Sequence, residues 1–94
     1  MKVFKNINYG ELEQQRLDLY IPDSENFTVF VFFHGGGLEG GDKSEIEIAV
    51  PYLVDRDIAV VSANYRLYPE AKYPEFICDA AAAVAWTMGS IYKY

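Results

Sequence analysis

Polar and apolar positions follow three different rhythms along this chain. Val3 to Tyr9 alternates loosely, and Gln15 to Ile21 alternates cleanly, with Leu17, Leu19 and Ile21 on one face and Arg16, Asp18 and Tyr20 on the other. Period two with a polar face predicts strands in antiparallel or edge positions. Gly10-Glu11 between the two segments suits a hairpin connection. Phe27 to Phe33 and Ile58 to Tyr65 are instead nearly continuous apolar runs, rich in β-branched and aromatic residues. That pattern predicts strands buried on both faces of a parallel sheet. Between them Ile46, Ala49, Val50, Leu53 and Val54 recur at helical spacing. Ser44 and Glu47 fit a capping box at the start of that helix, and Pro51 predicts a kink or a late start near Ala49. A second helix is expected from Pro74, with Ile77, Ala80, Ala81, Val84, Ala85 and Met88 as its apolar stripe and the run Ala80 to Ala83 allowing close approach to a sheet. The order is β-β-β-α-β-α, an α/β chain with a right-handed β-α-β crossover expected.

Length and composition narrow this picture. Ninety-four residues hold at most one domain, residues 1–94, and are few for a fold built on a parallel sheet. Eight tyrosines and six phenylalanines argue against disorder. A formal charge of −6, with the eight basic residues scattered, argues against a nucleic-acid partner. Cys78 is the lone cysteine, so no internal disulfide can form, and no Cys/His spacing suits a metal; neither metal nor cofactor is expected. No apolar run approaches membrane-spanning length and the N-terminus lacks the apolar core of a signal peptide, so the expectation is a cytoplasmic protein with no membrane partner.

The candidate chemistry lies in "VFFHGGGLEGGDKS", Val31 to Ser44, for which three readings compete. Gly35, Gly37 and Gly40 have the spacing of a dinucleotide-binding turn. Such a site wants an acid at the end of the next strand, where Ser62, Asn64 and Tyr65 stand; Asp55 and Asp57 come before that strand. Gly36 and Gly41 have the spacing of a phosphate-binding loop, but Asp42-Lys43-Ser44 inserts an acid before the lysine. The third reading is His34-Gly35-Gly36-Gly37 as an H-G-G-G oxyanion loop, after a buried strand and before a helix. Adjacent glycines let backbone N–H groups converge on one point without side chains in the way, and such donors stabilise the oxyanion of an acyl-transfer intermediate. A tight turn with no chemistry is the plain alternative.

The element order, with "HGGG", "GDK", "NYRLYPE" and "KYP…DA", resembles the N-terminal part of an α/β-hydrolase, in the hormone-sensitive-lipase-like and carbohydrate-esterase-like branch. The resemblance runs from Leu17 to Trp86. It implies a sheet ordered 1-2-4-3 and a carboxylesterase or acetylesterase acting on small esters. Gly36 and Gly37 would supply oxyanion-hole N–H groups, and Gly35 and His34 would anchor the loop. Arg66 would bond loop carbonyls or pair with an acid such as Asp79. The family's nucleophile stands in G-x-S-x-G, followed by an acid and a histidine. Ser24, Ser44, Ser62 and Ser90 lack those flanking glycines, and His34 is the only histidine. No triad is therefore expected within these 94 residues, and the chain alone is expected to be inactive: an oxyanion-loop portion truncated before the nucleophile elbow, or a non-catalytic module. A sheet ending at Phe27 to Phe33 would expose that strand for self-association or for the remainder of the protein.

Overall fold

The computed structural model describes residues 1–35, 40–67, 69 and 71–94. Four strands, β1 (Lys2–Asn8), β2 (Arg16–Ile21), β3 (Thr28–Phe33) and β4 (Ile58–Ala63), form one sheet in the order β1-β2-β4-β3, as expected. β1 and β2 are an antiparallel hairpin, with a register shift between Phe4 and Ile7. β2 runs antiparallel to β4, pairing Leu17 with Ala63 and Tyr20 with Val60. β4 runs parallel to β3, from Thr28 opposite Ile58 to Phe33 opposite Ala63. The continuous apolar run of β4 thus belongs to an inner strand, with Ala59 to Ala63 all buried. β3 carries a similar run but lies at the sheet edge, where Val29 and Phe30 are exposed.

Each face of the sheet has its own core. On one, Leu17, Leu19 and Ile21 of β2 pack with Ala59, Val61 and Ala63 of β4 beneath α2 (Glu75–Ser90), through Ala83 and Trp86. On the other, Tyr20 and Val60 meet Ile46 and Val50 of a 3₁₀ segment (Lys43–Ala49) and the short α1 (Val50–Val54). The polar face of β2 is therefore covered: Asp18 is 1% exposed and its carboxylate lies 3.2 Å from Lys43 Nζ. Pro51 falls in the first turn of α1, where its missing N–H costs no bond, and the α-helix starts late, after Ala49.

Two local expectations are corrected. The capping box is formed by Asp42 and Glu45, two residues before the expected Ser44 and Glu47; the Asp42 carboxylate accepts from Ser44 N–H while Glu45 accepts from Asp42 N–H. In α2 the buried row is Asp79, Ala83 and Thr87, whereas Ile77, Val84 and Met88 of the expected stripe face outward. Asp79 is drawn inward by a network described below, and the alanine run lets either face of the helix lie on the sheet.

Candidate active-site loop and its support

Because β3 and β4 are parallel, their C-terminal ends lie side by side, and both chains leave the sheet there as loops. His34 and Gly35 continue β3, and Asn64 and Tyr65 continue β4. This is where open α/β sheets carry their sites. Gly36 and Gly37, the expected oxyanion donors, lie outside the described residues, as do Leu38, Glu39, Tyr68 and Glu70. What the structure gives is the two stems that flank them.

The first stem is His34-Gly35. His34 is 3% exposed, and its imidazole is stacked on the Tyr65 ring at 4.6 Å between centroids, 12° from parallel. The Tyr65 hydroxyl donates to the His34 carbonyl at 2.8 Å, and His34 Nδ1 lies 2.8 Å from the Gly35 carbonyl oxygen. Burial, then the nearby Glu45 carboxylate, raises the Tyr65 phenol above its ordinary value, so it stays a donor.

The second stem runs from Gly40 to Lys43. Asn64 Oδ1 accepts from the Lys43 N–H at 2.8 Å and Asn64 Nδ2 donates to Asp42 at 3.2 Å. The Ser62 hydroxyl donates to the Lys43 carbonyl at 2.6 Å. The Ser44 N–H bond, with further bonds from the Ser44 and Asn64 side chains, holds the Asp42 carboxyl below its usual range despite partial burial. The stems meet at Gly41, whose φ of +95° and close approach to the Gly35 carbonyl and His34 Nδ1 leave no room for a Cβ.

Below this loop Arg66 pairs with Asp79, as the resemblance implied. The guanidinium donates from Nε at 3.0 Å and from Nη2 at 2.9 Å, the Arg66 N–H adds a third bond at 2.9 Å, and Gln15 donates a fourth from Nε2 at 2.9 Å. Burial pushes the Asp79 carboxyl up, but these donors outweigh it and hold it below the ordinary value. The sequence offered a signal for Arg66 and Asp79 but none for Gln15, a surface-type residue in a hairpin.

Two of the four serines have their hydroxyls engaged by backbone carbonyls. Ser62 is buried with its hydroxyl on Lys43, and the Ser24 hydroxyl is held by the Asn26 carbonyl. Asp55 and Asp57 sit at the opposite end of the sheet from Gly35, the length of β4 away, about 20 Å. The acid a dinucleotide site needs is thus at the wrong end. Among the described residues no His/Cys/Asp/Glu group could hold a metal ion, and no helix is long and apolar enough to cross a membrane. An apolar hollow of about 350 Å³ adjoins the first stem, lined by Phe33, Tyr65, Tyr73, Phe76, Ile77 and Ala80.

This arrangement has close counterparts. Residues 1–94 are 30% identical over 95 aligned residues to isoprenylcysteine alpha-carbonyl methylesterase ICME of Arabidopsis thaliana, covering 99% of this chain and 22% of that protein. They are 35% identical over 85 residues to carboxylesterase NlhH of Mycobacterium tuberculosis, covering 87% and 27%. The chain therefore spans about a quarter of the length of these relatives. Among solved structures, a bifunctional GH43-CE protein of Bacteroides eggerthii superposes with a TM-score of 0.86 at 30% identity, over 98% of this chain and 13% of its own. Inhibited esterase B of Lactobacillus rhamnosis gives 0.85 at 26%, over 95% and 30%. Sheet order and neighbours define the N-terminal part of an α/β-hydrolase of the esterase class. Within that class the chain belongs to the BD-FAE family, whose family model matches residues 17–94.

Proposed function

We propose that this chain is the oxyanion-loop portion of a serine carboxylic-ester hydrolase acting on small esters, and that residues 1–94 are not catalytic by themselves. The observation that carries this is that the stems flanking the H-G-G-G sequence, at His34-Gly35 and at Lys43, are tied to the C-terminal end of β4, in a family with esterase relatives. A serine hydroxyl adds to the ester carbonyl, the carbonyl π pair moves onto oxygen, and the Gly36 and Gly37 N–H groups donate to that oxyanion. The serine proton passes to the general base. Collapse restores the carbonyl and expels the alkoxide, which takes that proton to leave as alcohol. Water then cleaves the acyl-serine to the acid and free serine. Each such donor is worth about 3 kcal/mol of barrier. Gly35 and His34 hold the loop; His34, with its ring stacked and buried, is not the general base. Serine nucleophile, acid and base come from outside residues 1–94.

The edge strand supports a statement about partners. Phe27 to Phe33 presents exposed Val29 and Phe30, its Phe33 lines the apolar hollow, and no charged side chain lies in that stretch. It is covered by the remainder of the protein, or by a second copy when the 94 residues stand alone. The alternative reading, a non-catalytic self-associating module, rests on this same edge. Hydrolysis of 4-nitrophenyl acetate separates the two. The full-length polypeptide carrying these residues is expected to turn it over, with Gly37→Pro, which removes one N–H, lowering kcat at least 100-fold. A well-folded full-length protein with no turnover of acetyl, butyryl or aryl esters would contradict the enzyme reading.

A further inference from the structure

We propose that the C-terminal end of β4 is a two-sided clamp that positions the oxyanion loop, with Asn64 and Tyr65 as positioning residues and Gly41 as the point where the loop's stems close. This deepens the esterase reading above and rests on it. Consecutive residues of one strand end take opposite stems. Tyr65 holds the outgoing stem by stacking on His34 and donating to its carbonyl. Asn64 uses both ends of its amide on the returning stem, one on the Lys43 N–H and one on the Asp42 carboxylate. Ser62 reinforces that stem through the Lys43 carbonyl, and the Lys43 ammonium is anchored on buried Asp18.

The clamp itself is fixed. Asn64 N–H donates to the Arg16 carbonyl at 2.8 Å, extending the β2–β4 ladder, and its own carbonyl accepts from the Tyr9 hydroxyl at 2.6 Å. Each Asn64 polar group is thereby used, which a loop asparagine with no task would not need. Gly41 then brings the two stems into contact. An oxyanion hole depends on donors held before the charge develops, and small displacements lose much of the effect. A rigid neck on both sides of the donor residues supplies that.

The test uses Asn64→Leu and Tyr65→Phe in the full-length polypeptide. The second keeps the ring stack and removes one O–H. Both are expected to lower kcat for 4-nitrophenyl acetate tenfold or more with KM within twofold. Affinity for a trifluoromethyl ketone, whose hydrate oxyanion occupies the same donors, falls in parallel. Amide exchange across residues 34–43 speeds up while that of β2 and β4 stays unchanged. Unaltered kcat and ketone affinity in an active protein would overturn the clamp, whatever the exchange rates. If the parent protein turns over no ester, the esterase reading falls instead, and unaltered exchange across residues 34–43 in both variants would then overturn the clamp independently.

Discussion

Asp79 shows how a single residue can set the seating of a helix. A carboxylate 1% exposed within α2 would be costly alone, yet it receives two guanidinium bonds, a backbone N–H and the Gln15 amide. Removing it leaves the Gln15 amide and two guanidinium donors without their acceptor, Arg66 keeping only Glu75, so Asp79→Ala is expected to lower stability by about 3 kcal/mol in urea unfolding. Its pH dependence follows from its depressed folded value. Stability from this group is fully present above the ordinary 3.8 and is lost as pH falls below it through the folded value. Thermal melts between pH 6 and pH 3 should therefore decline more steeply for the parent chain than for Asp79→Asn; equal slopes would contradict the pairing. At Gly41, alanine meets both a left-handed φ and the opposite stem. Gly41→Ala is expected to cost about 1–3 kcal/mol and to speed amide exchange at Gly35, where a neutral result would mean that the stems do not touch.

At the scale of elements, what the sequence revealed and what it hid divide along physical lines. β2 and β4 were legible as strands from their period-two and continuous apolar patterns. Alternation hid that the polar face of β2 is covered too, and the same continuous run in β3 by itself hid that it lies at an exposed edge. The late start of α1 was legible because Pro51 tolerates few helix positions. The cap slipped by two residues because Asp42 with Glu45 and Ser44 with Glu47 have the same spacing, and only the chain's approach from Gly41 chooses between them. The stripe of α2 was misassigned because the helix is apolar on both sides, with Ala80 to Ala83 compatible with either. The loop's supports were hidden for another reason: Tyr65–His34 and Asn64–Lys43 are 31 and 21 residues apart, joined only by the parallel pairing of β3 with β4. A helix apolar all round is usually covered all round. Ile77, Val84 and Met88 remain exposed here, so Met88→Lys is expected to leave the melting temperature within about 2 °C and to reduce self-association of residues 1–94 in sedimentation. Unchanged association would assign the contact to β3 alone.

For the whole molecule, a four-stranded sheet with one hydrophobic core per face explains why so short a chain can hold the α/β-hydrolase start in place, and why it leaves apolar surface over. The net charge of −6 opposes association, but β3 carries no charged side chain, and of the two acids in α2 Asp79 is buried and Glu75 is paired with Arg66. Light scattering of residues 1–94 at micromolar concentration is expected to report dimers or larger species, and a monodisperse monomer would remove the edge-strand account. The central claim is that these residues contribute the oxyanion loop but not the nucleophile. A fluorophosphonate probe, with the labelled peptide mapped by mass spectrometry, tests it most directly. Labelling of the full-length polypeptide at a serine beyond Tyr94, with residues 1–94 alone unlabelled, is the expected result. A fluorophosphonate adduct on Ser24, Ser44, Ser62 or Ser90 would contradict it.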